Sequence, residues 1–151
     1  MFMASDNADQ REKKIRSFLR SEPSVALLLA AVNFEWTVSR AVMFLSTTKN
    51  ATLRQKIRNY YSPEKYKELW KDEVVPHGHL PLTKLVRNWS SVLKGFDARN
   101  IIVHGRDRYT KNTATPHINA LIDGVGFVDK YCQDHGKPLH ERMPIRKKNM
   151  S

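Results

Sequence analysis

The stretch Leu82–Gly105 reads LTKLVRNWSSVLKGFDARNIIVHG, and it decides the fold. Apolar residues recur every third or fourth position, at Leu82, Leu85, Trp89, Val92, Phe96 and later Val103. A second ridge runs beside the first through Val86 and Leu93. This spacing puts both ridges on one face of a single long helix over 82–105. The same pattern demands apolar side chains at 99 and 100, and the chain supplies Arg99 and Asn100. His104 follows one turn after Asn100, on its side of the helix. Between them Ile101, Ile102 and Val103 leave almost no polar face at that end. A guanidinium, an amide and an imidazole are thus expected where the pattern calls for burial. A buried charge is costly unless it meets a partner, so something must face Arg99.

Outward from that helix, the segment 24–46 is apolar on nearly every side. Leu27, Phe34, Val38, Ala41 and Leu45 form one face, and Leu28, Val32 and Val42 another. Such a helix belongs at the centre of a bundle. Glu35 and Ser39 sit on its second face, and Glu35 is the only acidic residue between Glu22 and Glu64. Two partners are open to it, Arg99 and the nearby Arg40.

The rest of the chain supplies further helices. A basic one is expected over 8–20 with Ile15, Phe18 and Leu19 inward and Ser5 or Asp6 as its cap. Leu53, Ile57 and Tyr60 mark another, and Ser62-Pro63 starts one with Tyr66, Leu69 and Trp70 inside. Pro76-His77-Gly78-His79-Leu80-Pro81 reads as a proline-bounded surface loop. Thr115-Pro116 is expected to start the last helix, which Gly136 and Pro138 end. The expected fold is all-α: an up-and-down bundle of four to five helices. Residues 1–7 are expected to be disordered, 8–136 to form a single helical domain, and 137–151 to be a flexible basic tail containing Arg142, Arg146, Lys147 and Lys148.

Composition narrows the chemistry. In 151 residues there are 26 Lys and Arg against 15 Asp and Glu, a net charge of +11, which favours a polyanionic partner. Cys132 is the only cysteine, which excludes a disulfide framework and a thiolate metal cluster. The longest apolar run, Val25 to Val32, is too short to span a bilayer, and MFMASDNADQREKK lacks the order of a signal peptide. A soluble, cytoplasmic protein without membrane attachment is expected. No glycine-rich loop leads to a lysine, so nucleotide triphosphatase chemistry is excluded. Neither a carboxylate cluster nor a spaced Cys/His set accompanies His77 and His79, so no metal and no cofactor are expected.

What remains suits RNA cleavage without metal. RNA carries its own nucleophile in the 2′-hydroxyl, so an enzyme must move protons and stabilise charge on phosphorus. Histidine does the first near neutrality, and the arginine fork matches phosphate oxygens.

The residues Arg99-Asn100-Ile101-Ile102-Val103-His104 resemble the R-N-x-x-x-H signature of HEPN domains, small all-helical domains named for higher eukaryotes and prokaryotes nucleotide-binding. The resemblance covers residues 10–136 and implies a metal-independent endoribonuclease, of the kind used as a toxin or in phage defence. It implies Arg99 and His104 as catalytic residues in a composite cleft at a two-fold homodimer interface, with Asn100 and Glu35 in support. The basic loop after His104 offers Arg106, Arg108 and Lys111 to the RNA backbone, and Tyr109 to stack a base. Expected partners are RNA (tRNA among the candidates), a second copy, and an acidic antitoxin or defence-system protein. Some HEPN toxins carry a nucleotide-accepting tyrosine two residues after the histidine. Here that position is Arg106, so control by a bound partner is expected over modification of Tyr109. The alternative class is a non-catalytic helical module that binds nucleic acid or a partner protein by charge.

Overall fold

Helix caps divide the chain before packing does. Asn7 accepts the Gln10 N–H at 2.9 Å while Gln10 accepts the Asn7 N–H at 2.8 Å, a reciprocal cap that starts α1 (Ala8–Ser17). The cap is Asn7, not Asp6, whose carboxylate instead binds Lys14 at 2.7 Å. Ser62 and Pro63 open α4 as expected from their order. Thr110 and Thr113 cap α7, five residues ahead of the expected start, so that Pro116 lies inside the helix and Lys111 is its first residue. The computed structural model describes residues 6–60 and 62–147. Segments 1–5 and 148–151, with the cap candidate Ser5 and the basic Lys148, lie outside the described residues.

Among the described residues the protein is all-helical. In order come α1, α2 (Pro23–Leu45), α3 (Asn50–Ile57), α4 (Pro63–Glu73), a single 3₁₀ turn (Val75–His77), α5 (Leu82–Leu85), α6 (Trp89–Val103) and α7 (Lys111–Asp134). Seven α-helical segments stand where four to five were expected, partly because the long helix over 82–105 is broken. Val86 turns extended, and α6 restarts at Trp89. Leu82, Leu85 and Val86 stay buried across the break. The apolar spacing is therefore the same with or without it, and periodicity alone could not reveal it. Asn88, in the break, donates from its side chain to the Ala120 carbonyl at 2.8 Å, which ties the turn to α7.

Helix α2 is the axis. Thirteen of its 23 residues are buried, against α7, α6, α1 and α4. It is also long and apolar enough by composition to cross a membrane, more than the run Val25–Val32 suggested. Phe34 lies edge-on to Phe96 at 5.7 Å and near Trp89 at 6.5 Å. The three long helices close up where side chains vanish. A methyl group at Gly124 would stand 2.9 Å from Val92 and 3.0 Å from Phe34, and one at Gly95 would stand 3.0 Å from Leu121.

The segment after α7 is docked, contrary to the flexible tail expected from its charge. Leu139 is 1 % exposed. Arg40 donates to the Leu139 and Glu141 carbonyls, and the Arg146 guanidinium donates to Met43 O at 2.7 Å and Thr48 O at 2.9 Å. Asn50 brackets the same segment, donating to Pro144 O at 2.8 Å and accepting the Arg146 N–H at 3.2 Å. Arg146, read as part of a solvated arm, is thus hydrogen-bonded to backbone carbonyls at and just after the end of α2, while Arg142 is exposed. In the loop before α5, His79 is half-buried rather than free, with its Nδ1 3.0 Å from the Tyr131 hydroxyl.

Candidate functional site

The polar break in the core ridge has found its partner. Arg99 Nη2 on α6 lies 3.5 Å from Glu35 Oε1 on α2, both side chains about one-quarter exposed (25% and 26%). Arg40, the other partner open to Glu35, is committed to the segment after α7. Tyr66 from α4 joins the pair, donating its hydroxyl to Glu35 Oε2 at 3.4 Å, and Ser39, one turn beyond Glu35, hydrogen-bonds the same phenol. Arg99 also lies over the Phe96 ring at 5.4 Å, and its Nε is buried with no hydrogen-bond partner. Three helices thus hold one guanidinium in place.

Burial dominates the electrostatics of this pocket. It pushes the Glu35 carboxyl above its ordinary range, against the pull of Arg99 and the Tyr66 hydrogen bond. Burial pushes the Tyr66 phenol up to about 12, helped by the neighbouring Glu35 charge. Tyr66 is therefore a donor in this cluster and no base at neutral pH. Sequence periodicity identified it only as an inward-facing residue. The missed signal was its hydroxyl, since a buried tyrosine needs a polar partner.

Asn100 and His104 depart from the expectation of burial, for both are exposed. The last turn of α6 projects past the helices that cover its start, so the chain does not enclose it. Ile101 and Ile102 are half-buried there, and Val103 is 58% exposed. Val32 on α2 is 49% exposed, although its helical face read as core. The described residues leave both of these apolar side chains exposed.

The helix ends in a Schellman turn. Gly105, at φ 65°, lets the Arg106 N–H reach Ile101 O and the Gly105 N–H reach Ile102 O, both at 3.0 Å. His104 is the C-cap residue, and its own N–H is bonded to Asn100 O at 3.0 Å. Arg106 and Arg108 are exposed on the following loop, Arg108 with its N–H on Asp107 Oδ1 at 2.8 Å. Lys111 is also exposed, but on α7 and not on the loop. Tyr109 is half-buried, its N–H on Ser24 Oγ at 3.2 Å and its ring edge-on to His117 at 5.7 Å. The structure therefore gathers Arg99, Glu35 and Tyr66 into one cluster, sets Asn100 and His104 on the adjoining open flank, and draws Tyr109 toward α2 and α7.

Burial, with the Asp129 charge nearby, pushes the Cys132 thiol up to about 12, far from a reactive thiolate. No group of three or more His, Cys, Asp or Glu side chains among the described residues is placed to hold a metal ion. Compared with known proteins, the chain matches no family model, no curated protein and no solved structure.

Proposed function

We propose that the protein is a metal-independent endoribonuclease, built on Arg99 and His104 and completed by a second copy of the chain. The observation that carries this reading is the guanidinium held by Glu35 five residues before an exposed imidazole, at a helix end where Val103 is also exposed. In the reaction the RNA 2′-hydroxyl gives its proton to a histidine and attacks phosphorus. The P–O5′ bond breaks, and the departing 5′-oxygen takes a proton from a second histidine. The products are a 2′,3′-cyclic phosphate and a 5′-hydroxyl. Arg99 holds the phosphate oxygens as charge builds on them, in the forked geometry that arginine presents.

One chain cannot do this alone. Arg99 and His104 are five residues apart, roughly 140° around the helix, so they project to different sides. A two-fold pairing of α6 ends brings two imidazoles and two guanidiniums to one cleft and covers Val103. The expected result is cleavage of total RNA or tRNA with chelator present, with a rate about 10²–10⁴-fold lower in His104→Ala. A verified dimer that leaves both RNAs intact, or a His104→Ala variant as active as wild type, defeats the proposal. The divergent directions of Arg99 and His104 favour a second reading, a non-catalytic module holding RNA by charge. That protein would bind the same RNAs and cleave none.

A further inference from the structure

On the other side of Ser39 from the Glu35–Arg99 pair, α2 and α3 enclose an open groove of about 310 Å³. Its lining is Trp36, Arg40 and Met43 from α2 with Arg54, Ile57 and Arg58 from the α3 segment, and Met143 of the docked C-terminal segment forms one wall. Three guanidiniums line it and no carboxylate does. Arg54 and Arg58 are exposed, four residues apart, and form no ion pair among the described residues, whereas their neighbour Lys56 is bound to Glu73 at 2.8 Å. Like charges at that spacing repel on a helix. The helix C-terminus they occupy offsets part of that repulsion, and a bound polyanion would offset more. Arg40 is fixed over the Trp36 ring at 5.1 Å, so one aromatic residue sits among cations.

The groove is also in the right place. Ser39 lines it and shares Tyr66 with Glu35. At 1.5 Å per residue, Arg40 lies roughly 7.5 Å and Met43 roughly 12 Å beyond Glu35 along α2. Around the helix Arg40 lies about 140° and Met43 about 80° from Glu35, so an RNA strand joining the pair to the groove bends part-way around α2 past Ser39.

We propose that this groove is an exosite for single-stranded RNA. Because the Trp36 ring already carries Arg11 at 4.3 Å and Arg40 at 5.1 Å, the groove seats backbone phosphates on Arg54 and Arg58 and one unstacked base on the Arg40 guanidinium plane beside Met143, a short way along the strand from the Glu35–Arg99 pair. This rests on the ribonuclease reading for the identity of the substrate. Single-stranded rather than duplex RNA is the occupant because a base must leave its stack to lie on a guanidinium plane, and the groove has the volume of a small-ligand pocket.

The probe is a short fluorescein-labelled single strand of 2′-O-methyl RNA, which lacks the attacking hydroxyl and cannot be cleaved. Its anisotropy is titrated at several salt concentrations with wild type, Arg54→Gln/Arg58→Gln and Lys84→Gln/Lys130→Gln. The last pair removes the same charge from an exposed patch on α5 and α7. The groove double should bind at least about 10-fold more weakly and lose about 1.4 from the slope of log K against log salt, two phosphate contacts' worth for a single strand. The control double should fall short of both changes, and the same sequence annealed to its complement should bind wild type less tightly. A groove double that binds as wild type does, or weakening by both doubles alike, overturns the proposal. Because the probe is not cleaved, an inert wild type that still binds it through the groove would sink the nuclease reading alone.

Discussion

Buried Glu73 and half-buried Glu35 show how one residue type can be held in opposite senses. Glu73 accepts from Ser46 at 2.9 Å and from Thr48 and Lys56 at 2.8 Å each. Burial works to raise its carboxyl, and those hydrogen bonds overcome it and hold the group below the ordinary range. A depressed carboxyl stabilises the fold above the unfolded value and loses that contribution as pH falls through the folded one. Glu73→Ala should therefore cost about 2–3 kcal/mol at neutral pH, read by denaturant titration, with the gap to wild type closing below about pH 4. An equal gap in acid would refute the assignment. Glu35, held above its ordinary range, runs the other way: stability it withholds at neutral pH returns as the solution is acidified. At this scale the sequence was legible where a charge broke a pattern. Arg99 interrupted an apolar ridge and so demanded a partner, and the lone carboxylate of α2 was there to meet it. Arg11 interrupted nothing, standing on a basic helix among other charges. Its burial comes from contacts outside its helix, with Nε on Asn33 at 2.7 Å and the guanidinium over Trp36 at 4.3 Å. No local spacing could announce those contacts.

Between elements, close approach is decided by what two glycines of α7 face. Gly124 looks into α2 and α6, where a methyl would press on the Val92 side chain and the Phe34 ring, while Gly126 has nothing within 4 Å. Gly124→Ala should destabilise by about 1–3 kcal/mol through overpacking, in spite of the better helix propensity of alanine. Gly126→Ala should stabilise by roughly 0.5–1 kcal/mol, because there propensity acts alone. Thermal melts of the two single variants check both signs, and two shifts in the same direction would contradict this packing. The same contrast explains which helix boundaries could be read. Ser62-Pro63 carries its start signal in adjacent residues. The start of α7 differs from the expected one because Pro116 reads as a first-turn proline, whereas it stands sixth in the helix, where it gives up the bond to Asn112 O and crowds that carbonyl. The break at Val86 left no mark on the apolar pattern at all.

For the whole molecule, the uncovered end of α6 carries the strongest expectation. Val103→Asp should leave the monomer folded, since Val103 faces solvent, and should shift sedimentation from dimer to monomer with loss of RNA cleavage. Wild type that cleaves RNA while sedimenting as a monomer would remove the composite cleft. Residues 138–146 show where charge misled the reading of overall shape. A run rich in arginine looks like a solvated arm, yet carbonyl oxygens at the end of α2 can take up guanidinium groups as well as water can. Helix α2 has a different consequence before the fold exists. Its cover comes chiefly from α7, which follows much later in the chain. While the ribosome is still making it, α2 emerges as a segment with the length and composition of a membrane span. What distinguishes it from one is Glu35 with Arg40, near its middle. An ionised side chain at the centre of an inserting helix costs about 2.5–3.5 kcal/mol at the translocon. The carboxylate that meets Arg99 in the finished protein also weighs, during synthesis, against threading α2 into a bilayer.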